Sequence, residues 1–286
     1  MRIAIIAPGE MGAGIGARLG ERGGDVFTSL KGRGPASAER AAHARMVAIE
    51  DDAKLVQSSD IVLSILPPAS ALGLAKRLAP YLAGAGRVVV YADCNAIAPQ
   101  TVREVEATVV PAGALFVDVG IIGGPPRSNG YCPHLYASGE NAQLLDPLRE
   151  FGLDIRPIAG GIGAASALKL SYAALTKGLA AIGAAVARGA ANGGVVTELR
   201  AELGESQPQL LAWLQRQIPT IEPKAHRWVG EMEEIARFLA GDPTADIYRG
   251  AARTYESIAR SRYGGEEAGL KFLSNLFGND ANSRRA

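Results

Sequence analysis

The sequence predicts a parallel, doubly wound α/β sheet followed by an all-helical domain. Three observations carry that prediction. Short apolar runs alternate with helix-like stretches from Arg2 to Pro157, the pattern of right-handed βαβ crossovers. The first apolar run ends directly in a glycine turn and a helix start. Beyond Gly160-Gly161-Ile162-Gly163 no strand-like run recurs.

The elements follow in order. Arg2–Ala7 reads as an apolar strand and Gly12–Gly23 as a helix with small and apolar residues on one face. Asp25–Leu30 is a second strand, Ala36–Ala44 a helix, Met46–Ile49 a short strand and Ala53–Gln57 a short helix. Asp60–Leu66 is nearly continuous in apolar residues, as a strand buried on both faces must be. Pro67-Pro68 stops it. Ala69–Tyr81 and Pro99–Val110 are helical, with strands at Arg87–Ala92 and Ala114–Val119. His134–Ala137 and Ile155–Pro157 extend the sheet. Ala164–Asn192 is a long alanine-rich helix. Its internal Gly178, Gly183 and Gly189 each cost about 1 kcal/mol against alanine, which predicts close helix packing there. Thr197–Leu203, Gln207–Gln217, Ala225–Ala240, Ala245–Ser261 and Glu266–Leu276 complete the helices, and the polar tail from Asn279 is expected to fray. The domains are therefore read as 1–160 and 161–286.

Composition narrows the function classes. At about 150 residues per domain, 286 residues suit two domains with a core each. Thirty basic against 29 acidic residues give a net charge of +1, so nothing favours nucleic acid or an anionic membrane as partner. Two cysteines cannot build a disulfide framework, which makes the cytoplasm the expected compartment. Ile3–Ala7 is too short for a signal-peptide core. No uncharged apolar stretch reaches the roughly 20 residues of a membrane span. Ala164–Ala187 comes nearest and is interrupted by Lys169 and Lys177. Thirty-five glycines beside 6% aromatics suit backbone that approaches a ligand, and a small-molecule partner is expected.

The glycine turn carries the chemistry. Ile3–Ala7 followed by Pro8-Gly9-Glu10-Met11-Gly12 is close to the dinucleotide fingerprint of a Rossmann-type domain, with Ala7 in place of the first glycine. Gly9 would let the backbone approach a pyrophosphate, and Gly12 would allow tight helix–strand contact. The helix start would offer its unpaired N–H groups to the phosphates. An NAD enzyme places Asp or Glu at the end of the second strand for the ribose 2′-hydroxyl. Here Thr28-Ser29-Leu30-Lys31-Gly32-Arg33 has no acid. Ser29, Lys31 and Arg33 instead suit a 2′-phosphate, so NADP is the expected cofactor with NAD as the alternative. The same residues also suit a solvated basic loop.

These pieces together resemble the β-hydroxyacid dehydrogenase and 6-phosphogluconate dehydrogenase superfamily. The later half resembles a phosphogluconate-dehydrogenase-like C-terminal domain found in an uncharacterised branch. Ala7–Gly12 is similar to the family's GLGxMG. Ser59–Pro67 is similar to its fourth strand, whose end, Leu66-Pro67, contacts the cofactor. Asp93-Cys94-Asn95-Ala96-Ile97-Ala98-Pro99 resembles the turn beside the nicotinamide, which assigns Asn95 to the cofactor. Phe116–Gly124 resembles the substrate segment, and Lys169 falls where the family keeps its catalytic lysine. Three departures stand out: Ile122 replaces a serine, Ala173 an asparagine, and Asn95 a serine or threonine.

The resemblance implies hydride transfer between NADP(H) and the hydroxyl/carbonyl of an organic β-hydroxy acid. Lys169 would take the hydroxyl proton, or give one to the carbonyl in reverse. Helical spacing lets Lys169, Tyr172, Thr176 and Lys177 share a face. Tyr172 and Thr176 are thereby substrate candidates, with Ile122, Gly123, Gly124 and His226. Gly123 and Gly124 would offer backbone N–H groups to a carboxylate. Tyr172 suits a core aromatic equally well, and Lys177 a helix-pairing role. His43, His134 and His226 show no zinc spacing, so no metal is expected. Cys94 and Cys132 read as inert thiols. Imine reduction, and cofactor binding without catalysis, are the alternatives. A homodimer joined through the helical domains is the expected assembly.

Overall fold

The computed structural model describes residues 1–263 and 271–278. The chain forms two compact units, Met1–Leu170 and Ser171 onward. The expected boundary at residue 160 precedes the long helix, whose first turns belong with the sheet.

In the first unit, strands and helices alternate: β1 (Arg2–Ile6), α1 (Glu10–Glu21), β2 (Asp25–Thr28), α2 (Pro35–His43), β3 (Val47–Ala48), α3 (Asp52–Gln57), β4 (Ile61–Ser64), α4 (Ala71–Ala83), β5 (Val90–Asp93) and α5 (Pro99–Val109). Three more strands follow: β6 (Leu115–Ile122), β7 (His134–Ser138) and β8 (Asp154–Pro157). All eight strands lie in one sheet of order β3-β2-β1-β4-β5-β6-β7-β8. From β3 to β6 every neighbouring pair is parallel.

The parallel expectation fails at the last two strands. β7 runs antiparallel to β6, and β8 runs parallel to β7. The reason is the connection. A parallel return needs a crossover of a dozen or more residues, usually with a helix. The described chain from Gly123 to Pro133 holds no helix and doubles back instead.

The central strands are buried because helices cover both faces. Ile3, Ala4, Ile5 and Ile6 of β1 are fully buried. Ile3 and Ile5 share one core with Ile15 and Leu19 of α1. Ala4 and Ile6 share the other with Leu74 and Leu78 of α4. Each buried isoleucine or leucine contributes about 1.5–3 kcal/mol. The sheet thus holds the C-terminal ends of β1, β4, β5 and β6 as a rigid row.

The long helix α6 (Ala164–Gly193) starts in the first unit. The second unit adds α7 (Val196–Ser206), α8 (Pro208–Gln217), α9 (Ala225–Phe238), α10 (Ala245–Tyr263) and α11 (Lys271–Phe277). The expected helix from Glu266 is described only from Lys271, and the tail from Asn279 lies outside the described residues. Gly178 faces the ring of Tyr248, and Gly183 faces Leu214, so helices do approach at these two glycines. Gly189 faces open space, and the expectation fails there. Lys177 bonds Glu231 and lies 5.1 Å over the Trp228 ring. Trp228 meets Tyr255 edge-on at 5.2 Å, and the Tyr255 hydroxyl donates to the Lys177 carbonyl. Lys177 therefore pairs α6 with α9 and α10. Among the described helices, α6 alone is long and apolar enough to cross a membrane, and 44% of its most apolar stretch is buried within the protein.

Candidate functional site

The sheet reverses its winding between β1 and β4. Strands run outward through β2 and β3 on one side and through β5 and β6 on the other. In open α/β sheets, ligands bind beyond the strand ends at such a switch point. The glycine turn sits there. The Ala7 N–H donates to the Ile65 carbonyl at 3.0 Å, joining the ends of β1 and β4. Gly9 is the N-cap of α1, and no side chain caps that helix. A helix start with no side chain over it suits an anion, through its N–H groups and its dipole. A β-carbon on Gly12 would sit 2.1 Å from the Ala7 carbonyl oxygen, so only glycine fits. A β-carbon on Gly9 would meet nothing within 4 Å, so the turn's approach is open. Glu10 is exposed, and Met11 packs on the core. These features fit a dinucleotide pyrophosphate.

At the end of β2, Ser29 is buried and its hydroxyl accepts from the Lys31 N–H at 3.4 Å. Lys31 and Arg33 are exposed. Sequence reasoning missed a third cation. The Arg40 Nε donates to the Pro8 carbonyl at 3.0 Å, and its Nη2 to Ser37 Oγ at 3.2 Å. Arg40 thus ties α2 to the glycine turn. Only the tertiary fold reveals that reach.

Asn95 straps the ends of β4 and β5 together. Its Oδ1 accepts from the Leu66 N–H. Its Nδ2 donates to Ser64 Oγ at 2.8 Å and to Asp93 Oδ2 at 2.9 Å. The residue is 1% exposed, so its polar atoms serve the protein and fix the backbone of Leu66, with exposed Pro67 next. Asp93 itself is fully buried. Burial pushes its carboxyl up to about 7 against the pull of the Asn95 hydrogen bonds, and the Asp118 charge adds to the rise. Burial also raises the Cys94 thiol well above its ordinary value, with the Asp93 and Asp118 charges adding.

Asp118 pairs with Asp93 across β5 and β6, and it organises the start of α6. Its Oδ2 accepts from Ser138 Oγ (2.9 Å), the Gly163 N–H (3.0 Å) and the Ser166 N–H (3.1 Å). Its Oδ1 accepts from Ser166 Oγ at 2.6 Å. Burial raises the carboxyl while these donors oppose the rise. The effect is a cap supplied from the sheet. One turn later Lys169, half-buried, lies against Gly120 of β6. A β-carbon on Gly120 would fall 3.0 Å from Lys169 Cβ and 2.4 Å from the Ala165 carbonyl oxygen. Sequence reasoning gave Asp118, Ser138 and Ser166 no role. An aspartate inside an apolar strand was a usable signal, because a buried charge requires partners.

At the end of β6, Ile122 is half-buried, and Gly123 just beyond adopts φ +127°. The Gly124 N–H donates to the Tyr131 hydroxyl at 3.1 Å. The first unit therefore brings the glycine turn, Leu66, Asn95, Ile122–Gly124 and Lys169 to the same row of strand ends. Tyr172, Thr176 and His226 belong to the second unit. Tyr172 is 52% exposed, which leaves the core reading without support. Thr176 Oγ1 donates back to the Tyr172 carbonyl at 2.9 Å, and His226 is exposed.

Residues 2–144 match the family model of the NAD binding domain of 6-phosphogluconate dehydrogenase. Residues 190–258 match a domain of unknown function. The uncharacterized 28.5 kDa protein in the 7S RNA 5′ region of Methanothermus fervidus is 33% identical over 207 residues, which is 72% of this chain and 78% of that protein. A conserved protein of unknown function, whose structure is described as similar to 3-hydroxyacid dehydrogenases, shares 27% identity at a TM-score of 0.69. That match covers 93% of this chain and 99% of the other. Mycobacterium tuberculosis 3-hydroxyisobutyrate dehydrogenase, solved with L-serine, shares the fold at a TM-score of 0.67 and 19% identity. It covers 96% of this chain and 97% of its own.

Proposed function

Because the chain belongs to the family that carries the NAD binding domain of 6-phosphogluconate dehydrogenase, we propose that it is an NADP(H)-dependent oxidoreductase acting on the hydroxyl/carbonyl of an organic β-hydroxy acid. The observation that carries the reading is the uncapped start of α1 at the β1–β4 switch point, with open space before Gly9. Gly9, Glu10, Met11 and Gly12 form the turn and helix start that hold the pyrophosphate. Ser29, Lys31 and Arg33 take the 2′-phosphate. Leu66 and Pro67 line the nicotinamide side, and Asn95 acts by fixing Leu66.

When bound, the nicotinamide supplies the hydride donor or acceptor. The chain's own part is placement and proton transfer. Ile122, Gly123 and Gly124 border the substrate in this reading. Lys169 Nζ accepts the hydroxyl proton during oxidation and returns it to the carbonyl oxygen during reduction. As an ammonium it also stabilises alkoxide character in the transition state. The reading includes a homodimer, supported by apolar residues left exposed along α6, Leu175 at 70% and Ile182 at 52% among them.

The test is a fluorescence titration of NADPH and of NADH into the wild type and the Lys31→Ala/Arg33→Ala variant. Tight NADPH binding that weakens in the variant, with NADH unaffected, is expected. Equal or tighter NADH binding by the wild type refutes the NADP assignment. No binding of either refutes the dehydrogenase reading.

A further inference from the structure

The loop between β6 and β7 is built around a contact that the proposed reading does not use. Pro125 and Pro126 lie against Gly14 of α1, where a β-carbon would come within 3.0 Å of Pro125 Cβ. Arg18 of α1 braces the loop from below. Its Nη2 donates to the Arg127 carbonyl at 2.9 Å and to the Tyr131 carbonyl at 3.3 Å. The Arg127 guanidinium lies 5.6 Å from the centre of the Tyr131 ring. In the same loop the Gly124 N–H donates to the Tyr131 hydroxyl.

The chemistry of this pocket does not match its present occupant. A backbone donor suits an anionic oxygen better than an uncharged one, because charge-assisted hydrogen bonds are roughly twice as strong as neutral ones. The phenol is neutral. It belongs to an exposed side chain, 41% accessible, held at its base by the Arg18 contact. Gly124 itself faces open space on its α-carbon side. An oxygen can therefore reach the donor once the phenol leaves it.

We infer that Tyr131 is a specificity-determining residue, whose hydroxyl occupies the Gly124 N–H in competition with a substrate carboxylate. A carboxylate must displace the phenol before it can bind, so an acid with few other contacts is disfavoured. Half-buried Ile122 adds no polar replacement at the neighbouring position. Acids with an apolar body can recover the loss by packing elsewhere, so the loop selects for larger substrates over the smallest hydroxy acids. The inference rests on the reading of Ile122–Gly124 as the substrate segment.

The test uses Tyr131→Phe, which keeps the ring beside Arg127 and removes only the oxygen. Glycine-selective ¹⁵N-labelled protein is titrated with 3-hydroxybutyrate, with and without NADPH. The Gly124 resonance is assigned from Gly124→Ala, a substitution with room for its methyl. Removing the competing neutral hydrogen bond is expected to tighten 3-hydroxybutyrate binding about 2- to 10-fold, with the Gly124 amide moving on saturation. Unchanged or weaker binding in Tyr131→Phe overturns the inference, since the hydroxyl would then be neutral or a helper. A Gly124 amide that stays still in both proteins also overturns it. A parallel arm with inorganic phosphate separates carboxylate recognition from general anion binding. Equal gains for phosphate overturn the assignment to a carboxylate. Loss of NADPH binding by the wild type refutes the dehydrogenase reading separately, because the carboxylate titration is also read without cofactor.

Discussion

Replacing Gly120 by alanine tests whether the β6–α6 contact sets the position of Lys169. The added β-carbon falls 2.4 Å from the Ala165 carbonyl oxygen and 3.0 Å from Lys169 Cβ. A relaxed carbon–oxygen contact is about 3.3 Å or longer, so the helix must retreat by about 1 Å. Both obstacles are main chain or β-carbon, so no side-chain rotation relieves them. Overpacking of this kind costs about 1–3 kcal/mol. The lower entropy of the unfolded alanine chain returns about 0.4–1 kcal/mol where the conformation is tolerated. The clash wins, and a net loss of about 1–2 kcal/mol is expected in urea unfolding. Amide exchange at Ala165 and Lys169 should quicken, while NADPH affinity holds because the glycine turn follows a different strand. On a turned-over substrate, a 1 Å displacement of the proton-transfer group should cost on the order of 100-fold in rate. A variant within about 0.5 kcal/mol of wild type, with unchanged exchange, would refute the reasoning.

Two further predictions concern the buried carboxylates. Asp93 has its folded-state pKa raised to about 7, so the folded protein holds that proton more tightly than the unfolded chain. Stability from this group is therefore fully present below about pH 4 and lost as the pH rises to about 7, by up to about 4 kcal/mol. Asp93→Asn should flatten the unfolding free energy over that window, and an unchanged slope would exclude Asp93 as the source. Asp118→Ala strands the donors of Gly163, Ser166 and Ser138, which should cost about 3 kcal/mol. Amide exchange at Gly163 and Ser166 checks it, and protection equal to wild type would show that the α6 start does not depend on this cap.

The alternation of strands and helices was legible because parallel strands covered on both faces must be nearly continuous in apolar residues, as Ile3–Ala7 is and as Ile61–Leu66 is but for Ser64. The direction of β7 was not legible. It depends on a loop held by Arg18 and by the fit of two prolines on Gly14, contacts that no local pattern encodes. The strand pattern ends at Gly160–Gly163, and no local signal shows that Gly163 and Ser166 are bound to Asp118 in the sheet.

The same division runs through the candidate site. Gly12 was legible because its position admits no side chain, while the readings of Gly9, Lys31 and Arg33 come from the sequence pattern. Arg40 and Asp118 are ordinary residues whose roles come from partners distant in sequence, at Pro8 and Ser166, and Tyr131 meets Gly124 only through the fold of its loop. Asp118 sits between these cases. Its place within Leu115–Ile122 announces a buried charge, and a buried charge requires donors, but the sequence does not say which. The donors turn out to be the first turn of the helix that carries Lys169. An aspartate inside an apolar strand therefore fixes where the proposed acid/base stands, which makes Asp118, more than Lys169's immediate neighbours, the position on which the proposed chemistry depends.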